Sequence, residues 1–279
     1  MIGTSSRKDE ALDRLASGIA QLTSSETWTT WLRVQARFHS YSFNNTIMIL
    51  VQRPTASRVA GFHTWRRLGR FVRRGEQAIW ILAPVTRRAK DEESDKTMRA
   101  VVAFRPVAVF AEDQTDGEAL PEVCTRLYGD EPAGAFAQLI RAAQSFGFTV
   151  EDHSFGDETN GDCSHALRRI RIKTTLEPMH RAKTLAHELG HALLHVDRSE
   201  RALMELEAES VAFVVCDVLG IDAGEWSFGY IAGWSVGGDE AIAAIKAAGT
   251  RIQRTAERIL SELKVAADGA AEPTGDGET

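Results

Sequence analysis

His187-Glu188-Leu189-Gly190-His191 spells HExxH within a stretch, Ala182 to Leu194, whose apolar residues recur at helical spacing. Residues four apart lie about one helical turn from each other, so both imidazoles leave one face and can hold a single metal ion. The glutamate beside the first histidine then reaches a water on that metal and can serve as general base. Ala182, Leu185, Ala186, Leu189, Ala192, Leu193 and Leu194 make the helix largely buried. Histidines and a glutamate inside such a helix are costly without partners, and a metal supplies them. His187 and His191 are therefore expected metal ligands and Glu188 the catalytic base.

A third ligand is expected from the next helix, which follows the short polar stretch Val196 to Glu200. Glu205 and Glu209, four apart, share a face with Ala208 and Ala212, whose small side chains permit close helix packing. Either carboxylate can complete the set. Glu207 points elsewhere and reads as solvated. Thermolysin-like (gluzincin) peptidases draw their third ligand from such a glutamate, with an acid four residues later. That resemblance implies Glu205 as ligand and Glu209 as the acid holding His187. Two histidines and one carboxylate leave a position open for water, as in a catalytic rather than a structural Zn2+ site. Tyr230, His180 and His195 are candidates to assist the oxyanion or the substrate, though each is more simply structural.

The 279 residues suffice for two domains of ordinary size, and 43% hydrophobic with 26% charged content is that of a soluble globular protein. No apolar run reaches membrane-spanning length, and the polar start, Met1 to Glu10, holds no signal-peptide core. Cys124, Cys163 and Cys216 form neither a ligand pair nor a disulfide framework, so a reducing cytoplasm is the expected location.

A net charge of −6 conceals an asymmetry. Between Arg53 and Lys90 stand ten basic residues and one acid, Glu76, whereas the last fifteen residues hold four acids and no base. The first stretch predicts a polyanion site confined to one domain, and residues 265–279 read as a disordered acidic tail.

The layout expected from pattern is α+β. Helices are predicted from Leu12 to Leu22, after Ser25, from Phe43 to Gln52 and around Thr64 to Leu68. A strand Ala78 to Ala83, a charged loop Arg87 to Thr97 and a strand region Val101 to Phe110 broken at Pro106 follow. Glu112 to Pro121 reads as a connector. The second half offers a helix Ala135 to Phe146 and strands Phe148 to Glu151 and Arg168 to Lys173. The two metal-site helices come next, then a helical region Asp239 to Val265. Arg168 to Lys173 is the candidate edge along which a peptide would lie by strand addition. The expected division is 1–112 as a helical, small-sheet DNA-binding domain, 113–131 as linker and 132–264 as a zincin-like metallopeptidase domain.

The basic region interleaves cations, amides and aromatics. Arginines release counterions from phosphates, and aromatic faces stack on unpaired bases, which favours single strands. Tyr41, Asn44, Asn45, Arg53, Trp65, Arg66, Arg67, Arg70, Arg73 and Arg74 are the candidate contacts. Asn44 and Asn45 serve equally as helix-capping residues, and most of the tryptophans fit a core.

Particular strings sharpen this. Trp31-Leu32, Phe38-His39-Ser40-Tyr41-Ser42-Phe43-Asn44-Asn45, Gln52-Arg53-Pro54, Val59-Ala60-Gly61-Phe62, Trp65, Leu68-Gly69-Arg70 and Val72-Arg73-Arg74-Gly75-Glu76 resemble the N-terminal domain of ArdC-type antirestriction proteins. His187 to His195 with Glu205 to Phe213 is similar to the zinc metallopeptidase domain joined to it, related to ImmA/IrrE-like peptidases. The resemblance spans about Trp28 to Trp234. It implies a single-stranded-DNA-binding protein of a phage or mobile genetic element that protects incoming DNA from restriction. The implied cofactor is Zn2+, with a protein or peptide substrate left unnamed. Three functions stay open: a DNA-binding peptidase, a DNA-binding protein with a non-catalytic metal site, and a peptidase that cleaves a repressor.

Overall fold

Amphipathic helices open the chain, as their spacing predicts. The computed structural model describes residues 4–90, 97–119, 132–196, 200–221, 226, 228, 231 and 238–269. They form an α+β fold in two compact units, Met1–Leu22 with Tyr41–Pro121, and Thr23–Ser40 with Glu122–Thr279.

In the first unit, α1 (Thr4–Ala20) lays Ala11, Leu15 and Ile19 against α3 (Phe43–Gln52). A Cβ at Gly18 would fall 2.7 Å from side-chain carbons of Ile47 and Val51, so only glycine permits this helix approach. The Ser42 hydroxyl accepts from the Asn45 amide and caps α3.

The sheet order is β1 (Val59–Ala60), β4 (Thr97–Ala111), β3 (Ile79–Lys90), all antiparallel. Residues 91–96 of the expected loop lie outside the described residues. Paired strands take in both its ends, Arg87 to Lys90 and Thr97, and run through the expected break at Pro106, with a bulge between Val85 and Thr86. The reason lies on α3. Asn45 Nδ2 donates to the Leu82 carbonyl at 3.0 Å, and the Leu82 amide donates to Asn45 Oδ1 at 2.9 Å. Gln52 binds both backbone groups of Trp80 in the same way, at 2.9 and 3.0 Å. Leu82 sits opposite Pro106 but turns its N–H and C=O outward to Asn45. The pair is thus a non-hydrogen-bonded one, and the missing N–H of Pro106 costs no ladder bond. The two amides also satisfy part of an edge that would otherwise be open.

Helix α4 (Phe62–Arg67) buries Trp65, whose indole donates to the Phe110 carbonyl at 2.9 Å. The expected connector at Glu112 is ordered structure: a 3-10 turn, Glu112–Gln114, then β5 (Thr115–Gly117) paired with β2 (Arg70–Val72). Gln114 is buried there, accepting from the Ala111 amide and donating to the Gln77 carbonyl. Gly117 has φ +139°, and a Cβ on it would lie 2.3 Å from the Gly69 carbonyl oxygen.

The second unit takes in α2 (Ser25–Arg37), capped by Ser24 and carrying Trp28 and Trp31 wholly buried. Trp28 Nε1 donates to Ser210 Oγ of α7 (Arg201–Leu219) at 3.0 Å. The compact units therefore depart from the linear 1–112 division. Helical periodicity shows that α2 must bury a face, and packing decides which core receives it.

Strand β8 (Arg169–Lys173) lies between β6 (Thr149–His153), parallel to it, and β7 (Gly161–Ser164), antiparallel. Ile170 and Ile172 are fully buried in its centre. The stretch expected as the substrate edge is thus the middle strand, and β7, for which no strand is expected, is an outer strand. Against this sheet pack α5 (Pro132–Ser145) and α6 (Pro178–Leu194); α7 packs on α6, and α8 (Asp239–Gly269) on α5, α6 and α7. Helix α8 continues through residues 265–269, the start of the expected tail; residues 270–279 lie outside the described residues.

Candidate metal centre

Helices α6 and α7 cross at Gly190, where a Cβ would stand 2.9 Å from the Cα of Ala208. The glycine inside the HExxH and the alanine between the two glutamates let the backbones approach closely. Glu205 and Glu209 are thereby delivered against the histidine face of α6.

The Nε2 atoms of His187 and His191 lie 3.0 Å apart, and Glu205 Oε2 lies 3.3 and 3.6 Å from them. Ligands about 2.0–2.1 Å from a tetrahedral ion would be about 3.3 Å from one another, so the triangle fits a divalent metal. Among the described residues these three form the one His/Cys/Asp/Glu group with that geometry. Burial alone would push the His187 imidazole down, but hydrogen bonds to Glu205 and Glu209 outweigh it and hold it at about 9. Hydrogen bonds with His187 and His191 keep the Glu205 carboxyl far below the usual carboxylate range. Such a cluster holds positive charge, whether a proton or a metal.

Glu209 takes a different place. Its Oε2 lies 3.0 Å from His187 Nδ1, the nitrogen turned away from the ligand triangle, and Lys183 Nζ lies 3.3 Å from its other oxygen. Lys183 is itself held 3.9 Å from the Trp226 ring centroid. Glu188 is buried at the same spot, and burial raises its carboxyl pKa. A carboxyl so raised is suited to exchanging protons nearer neutrality.

Glu207 is not solvated. It is 3% exposed, with Oε2 3.2 Å from His195 Nε2 and Oε1 accepting from Arg251 Nε of α8 at 2.9 Å. Burial alone would raise its pKa, but His195 and Arg251 hold it below the usual value. His195 is buried behind His191, their Nδ1 atoms 2.9 Å apart, and its remaining exposed edge lines the second cleft. His180 is exposed on the cleft wall, and Tyr230 lies outside the described residues.

Two clefts, ≈ 500 and ≈ 770 Å³, meet at Glu188, His191 and Glu205. Strand β7 runs beside both: Gly161 lines the first, Cys163 and Ser164 the second. A Cβ at Gly161 would lie 3.1 Å from Glu188 Cγ, so this glycine sets how near the strand passes to Glu188.

The candidate DNA contacts do not converge in this way. Trp65 and Asn45 are buried and committed to Phe110 and Leu82. Arg53 forms a forked pair with Asp113, and Arg73 binds Glu76 and Asp116. Arg70 holds Thr115 through its side chain and carbonyl. Tyr41 is half-buried with its hydroxyl 3.5 Å from the Val59 carbonyl; Asn44 is half-buried with Oδ1 lacking a hydrogen-bond partner. Arg66, Arg67 and Arg74 are exposed. The exposed aromatics are others: Phe62, Phe71 and Phe104. Alternation in Arg70-Phe71-Val72 is the signal that could have singled out Phe71.

Residues 9–110 match the family described as the N-terminal domain of anti-restriction factor ArdC, and residues 143–216 match the IrrE N-terminal-like domain of the M78 peptidases. The uncharacterized protein pXO2-81 of Bacillus anthracis is 23% identical over 308 aligned positions, covering 91% of this chain and 52% of its own length. The chain thus spans about half the length of that curated relative. The metal-free structure of the antirestriction protein ArdC from plasmid R388 has a TM-score of 0.52 at 22% identity, covering 81% of this chain and 86% of its own. Its Mn(II)-bound structure gives 0.52 at 21% identity, with 80% and 85% covered. These likenesses show a common fold.

Proposed function

We propose that this chain, an ArdC-type protein by its ArdC N-terminal domain and its IrrE-like peptidase domain, binds single-stranded DNA through the first unit and hydrolyses peptide bonds in the second, protecting DNA from restriction. The observation that carries the reading is the convergence of His187, His191 and Glu205 beside a buried glutamate at the junction of two clefts.

His187, His191 and Glu205 would hold Zn2+, with Glu209 fixing the ring of His187 from behind. Zinc held there would supply Lewis-acid chemistry, polarising a carbonyl and lowering the pKa of water towards about 7. Glu188 is the proton carrier, accepting a proton on its carboxylate and returning it to the leaving amine nitrogen. Strand β7 has no partner on its outer side among the described residues, and an extended peptide would align there by strand addition.

On the first unit, exposed Arg66, Arg67 and Arg74 are the phosphate contacts of this reading, and exposed Phe62 and Phe71 supply stacking faces. Tyr41 and Asn44 remain candidates at its margin, while Arg53, Arg70 and Arg73 are held by partners within the protein and Asn45 and Trp65 support the surface from beneath. No described helix is long and apolar enough to cross a membrane, and the cytoplasm is the compartment proposed.

Metal analysis, fluorescent single-stranded oligonucleotide binding and proteolysis, run on wild type and Glu188→Ala, test the whole. The variant is expected to keep metal and DNA binding and lose hydrolysis by about 10²–10⁴-fold. Wild type that takes up no metal sinks the centre. A Glu188→Ala protein that still protects DNA fully in cells leaves the peptidase with some other role.

A further inference from the structure

The two imidazoles of the centre are braced from behind by different means. His187 Nδ1 meets a carboxylate directly, Glu209, at 3.0 Å. His191 Nδ1 meets another imidazole, His195 Nδ1, at 2.9 Å. His195 Nε2 in turn lies 3.2 Å from Glu207 Oε2, and Arg251 Nε donates to Glu207 Oε1 at 2.9 Å. We propose that His195 is the positioning residue for His191, its tautomer set by Glu207 and Arg251, so that helix α8 fixes one arm of the metal centre. The proposal rests on the metal reading above.

Counting protons along the chain carries the argument. An imidazole that ligates through Nε2 is neutral and carries its proton on Nδ1. His191 Nδ1–H must then donate, and the nitrogen 2.9 Å away, His195 Nδ1, must accept. That leaves the His195 proton on Nε2, facing Glu207. An ionised carboxylate only accepts, and the Arg251 guanidinium only donates. Each donor thus meets an acceptor, and with Nδ1–H on His195 two N–H groups would face each other instead. The side chains of His195 and Glu207 are each 3% exposed, so water cannot stand in for a missing partner. Arg251, 43% exposed, is the end of the relay that reaches solvent. Both nitrogens of His195 are occupied, so neither is free to bond a substrate.

A mere clamp between α6, α7 and α8 would use the same residues but would not set metal affinity or a tautomer. Zinc alone is the probe, measured by chelator competition on the full chain, with thermal unfolding of the metal-free protein alongside. His195→Gln keeps one acceptor and one donor and is expected to bind zinc nearly as wild type does. His195→Leu cannot accept from His191 and should bind about 10–100-fold more weakly. Arg251→Met should weaken binding in the same direction. Since it leaves buried Glu207 without its cation, the metal-free unfolding temperature should fall as well, so affinities are compared at a temperature where each variant is folded. In the zinc-loaded wild type, imidazole 15N NMR should show opposite tautomers, Nδ1–H on His191 and Nε2–H on His195.

Zinc affinities of His195→Leu and Arg251→Met equal to wild type, while His191→Ala loses binding, would overturn the relay and leave the metal reading standing. An Nδ1–H tautomer on His195 would also overturn it. Failure of wild type to take up zinc removes both readings together. If His195→Leu does not fold, Arg251→Met and the tautomer spectrum decide.

Discussion

The metal centre and the arginine-rich surface were both singled out by polar residues in the sequence, yet they fold in opposite ways. In the second unit, residues chosen by spacing come together: His187, His191 and Glu205 place their ligating atoms within 4.8 Å of one another. In the first, residues chosen by charge and composition disperse. Trp65 and Asn45 go inward, Arg53 and Arg73 turn to acids, and Arg70 clamps β5. Spacing on a helix is already a geometric statement about side chains, since 3.6 residues complete a turn. A count of charges in a window is a statement about net potential, and it does not say which guanidinium is already paired.

The largest expected effect tests the first half of that contrast. In a His187→Ala/His191→Ala double variant, stoichiometric metal uptake after dialysis should vanish altogether, by elemental analysis. Retention of wild-type uptake would put the metal elsewhere and erase the contrast.

Next comes a paired test of two aromatics in the first unit. Trp65→Ala should destabilise the protein by about 3–5 kcal/mol in urea unfolding, as expected for a buried indole. Phe71→Ala, at a residue 58% exposed, should leave the unfolding midpoint in place and weaken oligonucleotide binding by about 1–3 kcal/mol. The reverse pattern would restore Trp65 as the stacking face that composition suggested.

A smaller effect is expected of Asn45→Leu. It strips the partners from both backbone groups of Leu82, which should cost about 1–3 kcal/mol by the same urea measurement. Oligonucleotide affinity per folded molecule should not change; a specific loss there would return Asn45 to the DNA surface.

The finest discrimination is between exposed arginines and those paired with acids. Combined Arg66→Glu, Arg67→Glu and Arg74→Glu should flatten the dependence of log affinity on log salt by about 0.7 for each lost phosphate contact. Arg73→Gln, which loses partners within the protein, should leave that slope unchanged. Equal slopes in all variants would show that the polyanion site lies on another surface.

How far the fold was legible follows the same division. Helices α2, α3 and α6 stand close to where periodicity puts them; Ser42 caps α3 as expected, while α2 is capped by Ser24 rather than by Ser25. Of the small residues expected to allow close packing, Ala208 stands at the α6–α7 crossing, opposite Gly190. The long β3–β4 hairpin was not legible past Pro84 and Pro106. Its tolerance of proline depends on amides of Asn45 and Gln52 reaching over from a helix more than twenty residues away. Strand order was hidden for a related reason: the alternation in Arg169 to Lys173 fits a middle strand and an edge strand equally. Glu207 was misread because its partners, His195 and Arg251, sit 12 and 44 residues distant.

By itself the sequence determined the histidine pair, the glutamate adjacent to it and the existence of each amphipathic helix. These are consequences of backbone geometry within one or two turns. Only the tertiary structure decided which glutamate faces the ligand nitrogens, which one braces His187 and which lies buried behind His195. It also decided which arginines remain open to a partner and which core receives Trp28. Those outcomes depend on neighbours contributed by separate elements, and burial makes each such neighbour either a required partner or an excluded one.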